Sequence, residues 1–268
     1  MAKGDDSFLS GWALVLGASS GFGGACALEL ARAGMDVFGV HLDRKATLPM
    51  AEKVQADIQA LGRQAIFFNV NAADEEKQQE VLGHIEQRLR EANQLGQCRV
   101  LLHSLAFGAL KPMVGPDSLT RAQVEMTLDV MANSLVYWTR GLVDKKLMGE
   151  GGRIYAMTSS GSVHCWAGYG AVSAAKCALE SHIRQLAFEL MPLGITANAL
   201  RAGVTDTPAL RKIPGSESMI EVALRKTPTH RLTTVTDLAR CLVALARPET
   251  QWMTGNVINV DGGEEISG

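Results

Sequence analysis

Short apolar runs alternate with longer stretches whose apolar positions recur every three to four residues. The runs at 12–16, 37–42, 64–69, 99–103, 153–157, 195–200 and 256–260 predict strands. The stretches at 21–33, 50–61, 75–92, 121–147, 171–190 and 235–246 carry the helical period. Seven strands interleaved with helices predict an α/β chain with a doubly wound parallel sheet and helices on both faces. No repeat or low-complexity linker interrupts this rhythm, so residues 1–268 are expected to form a single domain. The one break is 205–231, which holds Pro208, Pro214, Gly215 and Pro228. Its place beyond the sixth strand, where open α/β sheets keep their ligands, suggests a substrate lid. An ordinary surface insertion is the alternative.

Composition narrows the class. Hydrophobic residues make up 47% and charged residues 20%, as in a packed globular protein, and the formal net charge of −2 offers no broad attraction to nucleic acid or an anionic membrane. The first ten residues bear Lys3, Asp5 and Asp6 with no apolar run behind them, and no stretch is long and apolar enough to span a bilayer. A cytoplasmic protein is expected. The five cysteines form no C-x-x-C pair, which argues against a disulfide framework and against a metal site. Cys26, Cys98, Cys177 and Cys241 read as buried apolar residues, whereas Cys165 lies near the chemical segment described below.

Gly17-Ala18-Ser19-Ser20-Gly21-Phe22-Gly23-Gly24 follows the first strand and runs straight into a helix. Glycines permit a tight turn and close backbone approach, and the helix N-terminus offers unpaired N–H groups to a pyrophosphate, so the expectation is a Rossmann-like dinucleotide site. A plain strand-to-helix connection is the competing reading of the loop alone.

The G-x-x-x-G-x-G spacing resembles that of the short-chain dehydrogenases/reductases, with Leu16 where that family has threonine. The resemblance runs along nearly the whole chain. It implies that Asn69 and Val70 contact adenine, that Asn133 is the family's helix asparagine, and that Gly203, Val204, Thr205 and Thr207 belong to the nicotinamide loop. Thr254-Gly255 through Asp261-Gly262-Gly263 matches the last strand and its end. His41 falls where an NAD-specific member has its ribose carboxylate, and Arg44 and Lys45 follow closely enough to meet a 2′-phosphate. NADPH is therefore the expected cofactor. NADH is the alternative if Asp43 is the ribose acceptor or if Arg44 and Lys45 merely open a solvated helix.

Most of the family carries Tyr-x-x-x-Lys, but position 172 is Val172 and the tyrosine is Tyr169, seven residues before Lys176. Two helical turns would set both on one face about 10 Å apart along the axis. This spacing resembles the enoyl-acyl-carrier-protein reductases, as does His103-Ser104-Leu105-Ala106-Phe107, where Ser104, Leu105 and Ala106 are implied cofactor contacts. The stretch from Ser159 to Lys176, running on to Glu180, is most similar to the NADPH-using type III branch. One departure is Ser159, which stands where the commoner branch has a second tyrosine and where ketone reducers keep a catalytic serine.

The resemblance implies an enoyl-thioester reductase of fatty-acid synthesis. Tyr169 would hydrogen-bond the enolate oxygen, Lys176 would hold the ribose and keep the tyrosine a strong donor, and Ser159 would assist or simply form a turn. Asn133 would anchor a water or bend its helix, and His103 reads as a strand-end residue or cofactor neighbour. The substrate is expected on an acyl carrier protein, met by Arg201, Arg211, Lys212, Arg225 and Lys226, and the assembly is expected to be a homotetramer built on 121–147 and 171–190. A carbonyl reductase on the same scaffold is the second enzymatic reading. A dinucleotide-sensing binding protein is the third, and the presence of both Tyr169 and Lys176 speaks against it.

Overall fold

The computed structural model describes residues 9–267; most of the N-terminal stretch read for a leader lies outside them. Strands β1 (Trp12–Leu16), β2 (Asp36–His41), β3 (Ala65–Asn69), β4 (Cys98–His103), β5 (Arg153–Ser159), β6 (Thr196–Ala202) and β7 (Val257–Val260) form one sheet in the order β3-β2-β1-β4-β5-β6-β7. Every pairing is parallel. The helices are α1 (Gly21–Arg32), α2 (Leu48–Ala60), α3 (Glu75–Glu91), α4 (Arg121–Leu128), α5 (Ser134–Asp144), α6 (Gly170–Leu190), α7 (Ser216–Lys226) and α8 (Val235–Leu245). No helix among the described residues is long and apolar enough to cross a membrane.

Alternation along the central strand divides the core in two. Trp12, Leu14 and Leu16 of β1 face one cluster with Leu82 of α3, Trp138 of α5 and Leu179 of α6. Ala13 and Val15 face the other, with Leu30 of α1, Ile58 of α2 and Leu242 of α8. Because side chains of a strand point alternately to opposite faces, a run apolar at every position demands helices on both sides.

Three expectations need correction. The predicted helix 121–147 is broken by a π-turn at Asp129–Asn133, which separates α4 from α5. The Pro-rich segment 205–231 is not irregular throughout, since it contains α7, an amphipathic helix too short for its period to stand out between prolines. Cys26 and Cys98 are buried as expected, but Cys177 is exposed and Cys241 only half-buried; apolar composition placed them on core helices without saying which way they face.

Trp12 is fully buried, stacks on Phe38 with ring centroids 4.1 Å apart, and donates from Nε1 to Gln94 Oε1 at 2.8 Å. Trp12→Ala removes the ring and leaves Gln94 without that donor, so denaturant unfolding should show a loss of about 3–5 kcal/mol. A loss below ~1 kcal/mol would mean that this edge of the core collapses around the gap.

Candidate active site

The chain leaves β1 at Gly17, whose φ of +90° lies in the left-handed region, and enters α1 at Gly21. A Cβ on Gly23 would strike the Gly17 carbonyl, and one on Gly17 would strike the Ser104 carbonyl beyond β4. Helix, strand end and neighbouring loop therefore meet backbone to backbone. Ser20 at the N-cap makes no side-chain capping hydrogen bond, and the first turn of α1 holds no acidic residue. The N–H groups at this terminus are thus left without side-chain caps or a competing anion, which fits a dinucleotide pyrophosphate. Ser19, Ser20, Gly21, Phe22 and Gly23 all fall in this turn or its helix start.

At the end of β2 the side chains of His41, Asp43 and Asn69 are drawn together around Asp43 by hydrogen bonds. His41 is buried and its Nδ1 lies 2.9 Å from Asp43 Oδ2, so the imidazole sits beneath Asp43. Burial opposes ionisation of Asp43, but hydrogen bonds from Thr47, Ser19 and His41 outweigh it and hold its carboxyl below the usual range. The backbone of Asp43 is fixed as well: its N–H donates to Asn69 Oδ1 and its carbonyl accepts from Asn69 Nδ2, both at 2.9 Å. Asn69 thus spends its side chain positioning Asp43, while Val70 pairs back to the His41 carbonyl. Arg44 and Lys45 are exposed.

The carboxyl ends of β4, β5 and β6 enclose a cavity of about 240 Å³. Phe22, Ala106, Ser159, Tyr169, Gly203, Val204, Thr205 and Thr207 line it. Its apolar walls also include Phe107, Leu110, Met131, Trp166 and Val172, with Leu210, Ile213 and Met219 from segment 205–231. That segment therefore walls the cleft.

Tyr169 is the N-cap of α6, outside the helix, so it does not share a helical face with Lys176 by spacing. Its ring lies against Gly161, where a Cβ would meet Cδ1 at 2.9 Å. The hydroxyl lies 3.3 Å from Ser159 Oγ. Burial raises the Tyr169 pKa, with Ser159 opposing, so the phenol stays a neutral donor at ordinary pH. Lys176 is 5% exposed and donates from Nζ to the Met157 carbonyl at 2.6 Å. Burial depresses its pKa to about 8, against an opposing pull from Glu180. Val172, where most of the family has tyrosine, is packed into the core.

Asn133 ends the π-turn and its Oδ1 lies 3.2 Å from His182 Nε2; it is not among the cavity residues. His103 is fully buried with Nε2 2.8 Å from Ser134 Oγ, and burial, then the charge of Lys176, pushes its pKa down to about 3. It is a structural neutral imidazole. Sequence reasoning missed the roles of Thr158, Glu180 and Arg201: Glu180 accepts from Thr158 Oγ1 at 2.7 Å and from Arg201 Nη2 at 3.1 Å. The one available signal was the i,i+4 spacing of Lys176 and Glu180.

Residues 17–265 match the family model described as enoyl-(acyl carrier protein) reductase. The chain is 31% identical over 257 residues to 1-cyclohexenylcarbonyl-CoA reductase of Streptomyces collinus, covering 94% of this chain and 86% of that protein. It is 30% identical over 258 residues to 3-oxoacyl-[acyl-carrier-protein] reductase FabG of Pseudomonas aeruginosa, covering 95% and 97%. A short-chain dehydrogenase from Burkholderia cenocepacia, crystallised in complex with NADP, superposes with a TM-score of 0.79 at 28% identity, over 94% of this chain and 97% of that one.

Gly23→Ala places a methyl group against the Gly17 carbonyl, and relief requires α1 to retreat from β1. Fluorescence titration should show nicotinamide dinucleotide binding weakened on the order of tenfold or more, about 1.4 kcal/mol. Unchanged affinity would show that the close approach plays no part in binding.

Proposed function

Because the chain belongs to the short-chain dehydrogenase/reductase family, in its enoyl-acyl-carrier-protein-reductase-like branch, a group of NAD(P)H-dependent oxidoreductases, we propose that it reduces the double bond of a trans-2-enoyl thioester. The observation that carries this reading is the Tyr169 hydroxyl, beside Ser159 Oγ at the wall of an apolar cavity, with Val172 buried and unable to donate. The bound nicotinamide would supply a hydride to the β-carbon. Gly17 to Gly23 would hold the pyrophosphate, Lys176 the nicotinamide ribose, and 203–207 the nicotinamide.

As hydride reaches the β-carbon, negative charge gathers on the thioester oxygen, where Tyr169 would supply a hydrogen bond placed before the reaction begins, and a proton from solvent then adds to the α-carbon as the enolate collapses to the saturated thioester. In this reading the Lys176 ammonium, as the family resemblance implies, would strengthen that donor by favouring negative charge around it. Leu110, Trp166 and Met219, with the exposed Phe107 at the rim, would accept the acyl chain. In keeping with the family resemblance, we place the thioester on an acyl carrier protein. Of the basic residues expected to meet it, Arg201 and Arg211 are engaged by Glu180 and Asp206, leaving Lys212 and Arg225 exposed at this end. A homotetramer is the proposed assembly, supported by the apolar surface that Tyr137 of α5 and Phe188 of α6 leave exposed.

A second reading, ketone reduction, draws on the same pair of hydroxyls, since Ser159 and Tyr169 together would also receive a carbonyl oxygen. Following nicotinamide absorbance with crotonyl and acetoacetyl thioesters separates the two. Tyr169→Phe should lower enoyl reduction by about 10²–10³ while leaving cofactor affinity nearly intact. Near-normal enoyl turnover in the folded variant would pass the donor role to Ser159 and sink the assignment.

Cofactor preference follows from Asp43 rather than Arg44 in this geometry: an ionised carboxylate beside Ser19 accepts from ribose hydroxyls and opposes a 2′-phosphate. We therefore place NADH ahead of NADPH. Asp43→Asn should raise NADPH affinity relative to NADH by about tenfold, equivalent to ~1.4 kcal/mol. A selective loss of NADPH binding in Arg44→Ala, with no change in Asp43→Asn, would restore the phosphate-binding role of Arg44.

A further inference from the structure

Two charged side chains behind the cleft wall lie outside the chemistry described so far. Glu180 stands one helical turn beyond Lys176 on α6, and Arg201 lies on β6. Their side chains are only 11% and 12% exposed, and they pair at 3.1 Å. Glu180 Oε1 also accepts from Thr158 Oγ1, which belongs to the same strand end as the Met157 carbonyl that receives Lys176. From the same Nη2, Arg201 donates to Ser162 Oγ at 3.1 Å, and the Ser162 hydroxyl donates to the Ser159 carbonyl at 3.0 Å. One chain of hydrogen bonds therefore runs from Glu180 through Arg201 and Ser162 to the backbone of Ser159.

We propose that Glu180 and Arg201 form a positioning pair that sets the charge along this face of α6 beside Lys176 and holds the Ser159 turn against Tyr169. The inference rests on the reductase reading for the role of Lys176 and Tyr169, but not on which thioester or ketone is reduced. A buried ion pair seldom contributes much net stability over apolar side chains, so its presence here calls for another role. The pair supplies one: opposite charge favours the ammonium and like charge disfavours it.

The surroundings of Lys176 leave Glu180 as its counter-charge. On β4, His103 is neutral. On β5 stand the Met157 carbonyl and the hydroxyls of Thr158 and Ser159, and at the start of α6 stands the neutral Tyr169. On β6, Arg201 is paired with Glu180 and draws on the same carboxylate. Further along α6, His182 is turned to Asn133. Burial disfavours the ammonium and Glu180 resists that effect, so the protonated form gives way near pH 8. Above that pH both cofactor binding and turnover should fall.

The pair makes two opposite predictions. Glu180→Gln keeps an acceptor for Thr158 but removes the negative charge and leaves Arg201 uncompensated. Its alkaline limb should move to lower pH by about one unit or more. Arg201→Gln leaves Glu180 unopposed, and its limb should move to higher pH. The readout is the pH dependence of NADH affinity, measured by fluorescence without substrate, alongside the pH profile of kcat/KM. Circular dichroism establishes that each variant is folded, and if one is not, the other still tests the sign of its own shift.

Opposite displacements in the two variants, or the expected displacement in the one that folds, support the proposal. A uniform loss at every pH with the limb unmoved would reduce the pair to a structural brace and overturn it. Failure of the wild-type protein to reduce enoyl thioesters, with the NADH-binding limbs still moving as stated, would instead count against the function proposed above while leaving this inference standing.

Discussion

All seven strands run the same way, and both faces of the sheet are covered by helices. In such a sheet the strand backbones are consumed by pairing and the faces by packing, so groups free to meet a ligand collect where the chain leaves each strand. Six segments here do so at one edge: the turn after β1, Asp43 after β2, Asn69 at the end of β3, Ser104 to Phe107 after β4, Ser159 at the end of β5, and Gly203 to Thr207 after β6. The cleft is a consequence of that direction. Its precision comes from backbone approaches such as Gly17 to Ser104, which leave no room for side chains to loosen the fit.

Burial then gives the site its electrostatic character. Lys176 lies in the layer between sheet and α6, where an ammonium loses its water, and it is retained by one backbone carbonyl and one carboxylate on its own helix. The same dryness raises the pKa of Tyr169 and lowers that of His103, so each stays neutral, the phenol as a donor and the imidazole as a bonded part of the core. A polar cluster of this kind works in a dry layer because its partners are fixed in advance.

Much of this was legible in the sequence because it depends on period and order. The seven strands and the glycine turn follow from apolar runs and from what stands just beyond each of them, and the family resemblance implied Ser159, Tyr169, Gly203 and Thr207, all of which line one cleft. What was not legible depends on where side chains turn. Asp43 and His41 are two residues apart, and only the bend after β2 makes one the base of the other. Tyr169 reaches Ser159 from a cap position rather than from a helical face. Arg201, an alternate residue on a strand of seven, looks like a surface charge until the fold puts Glu180 beside it.

The π-turn at Asp129–Asn133 gives the long helical stretch one residue more than an α-helix of the same span would hold. Val130, Met131 and Ala132 remain buried within it, and α5 continues beyond it with Leu135, Trp138 and Leu142 in the same core. The surplus residue is therefore absorbed locally, without turning the following helix away from the sheet. A chain shorter by one residue here would run as an unbroken helix with its apolar stripe in phase, and what it would surrender is the sideways reach of Asn133 to His182.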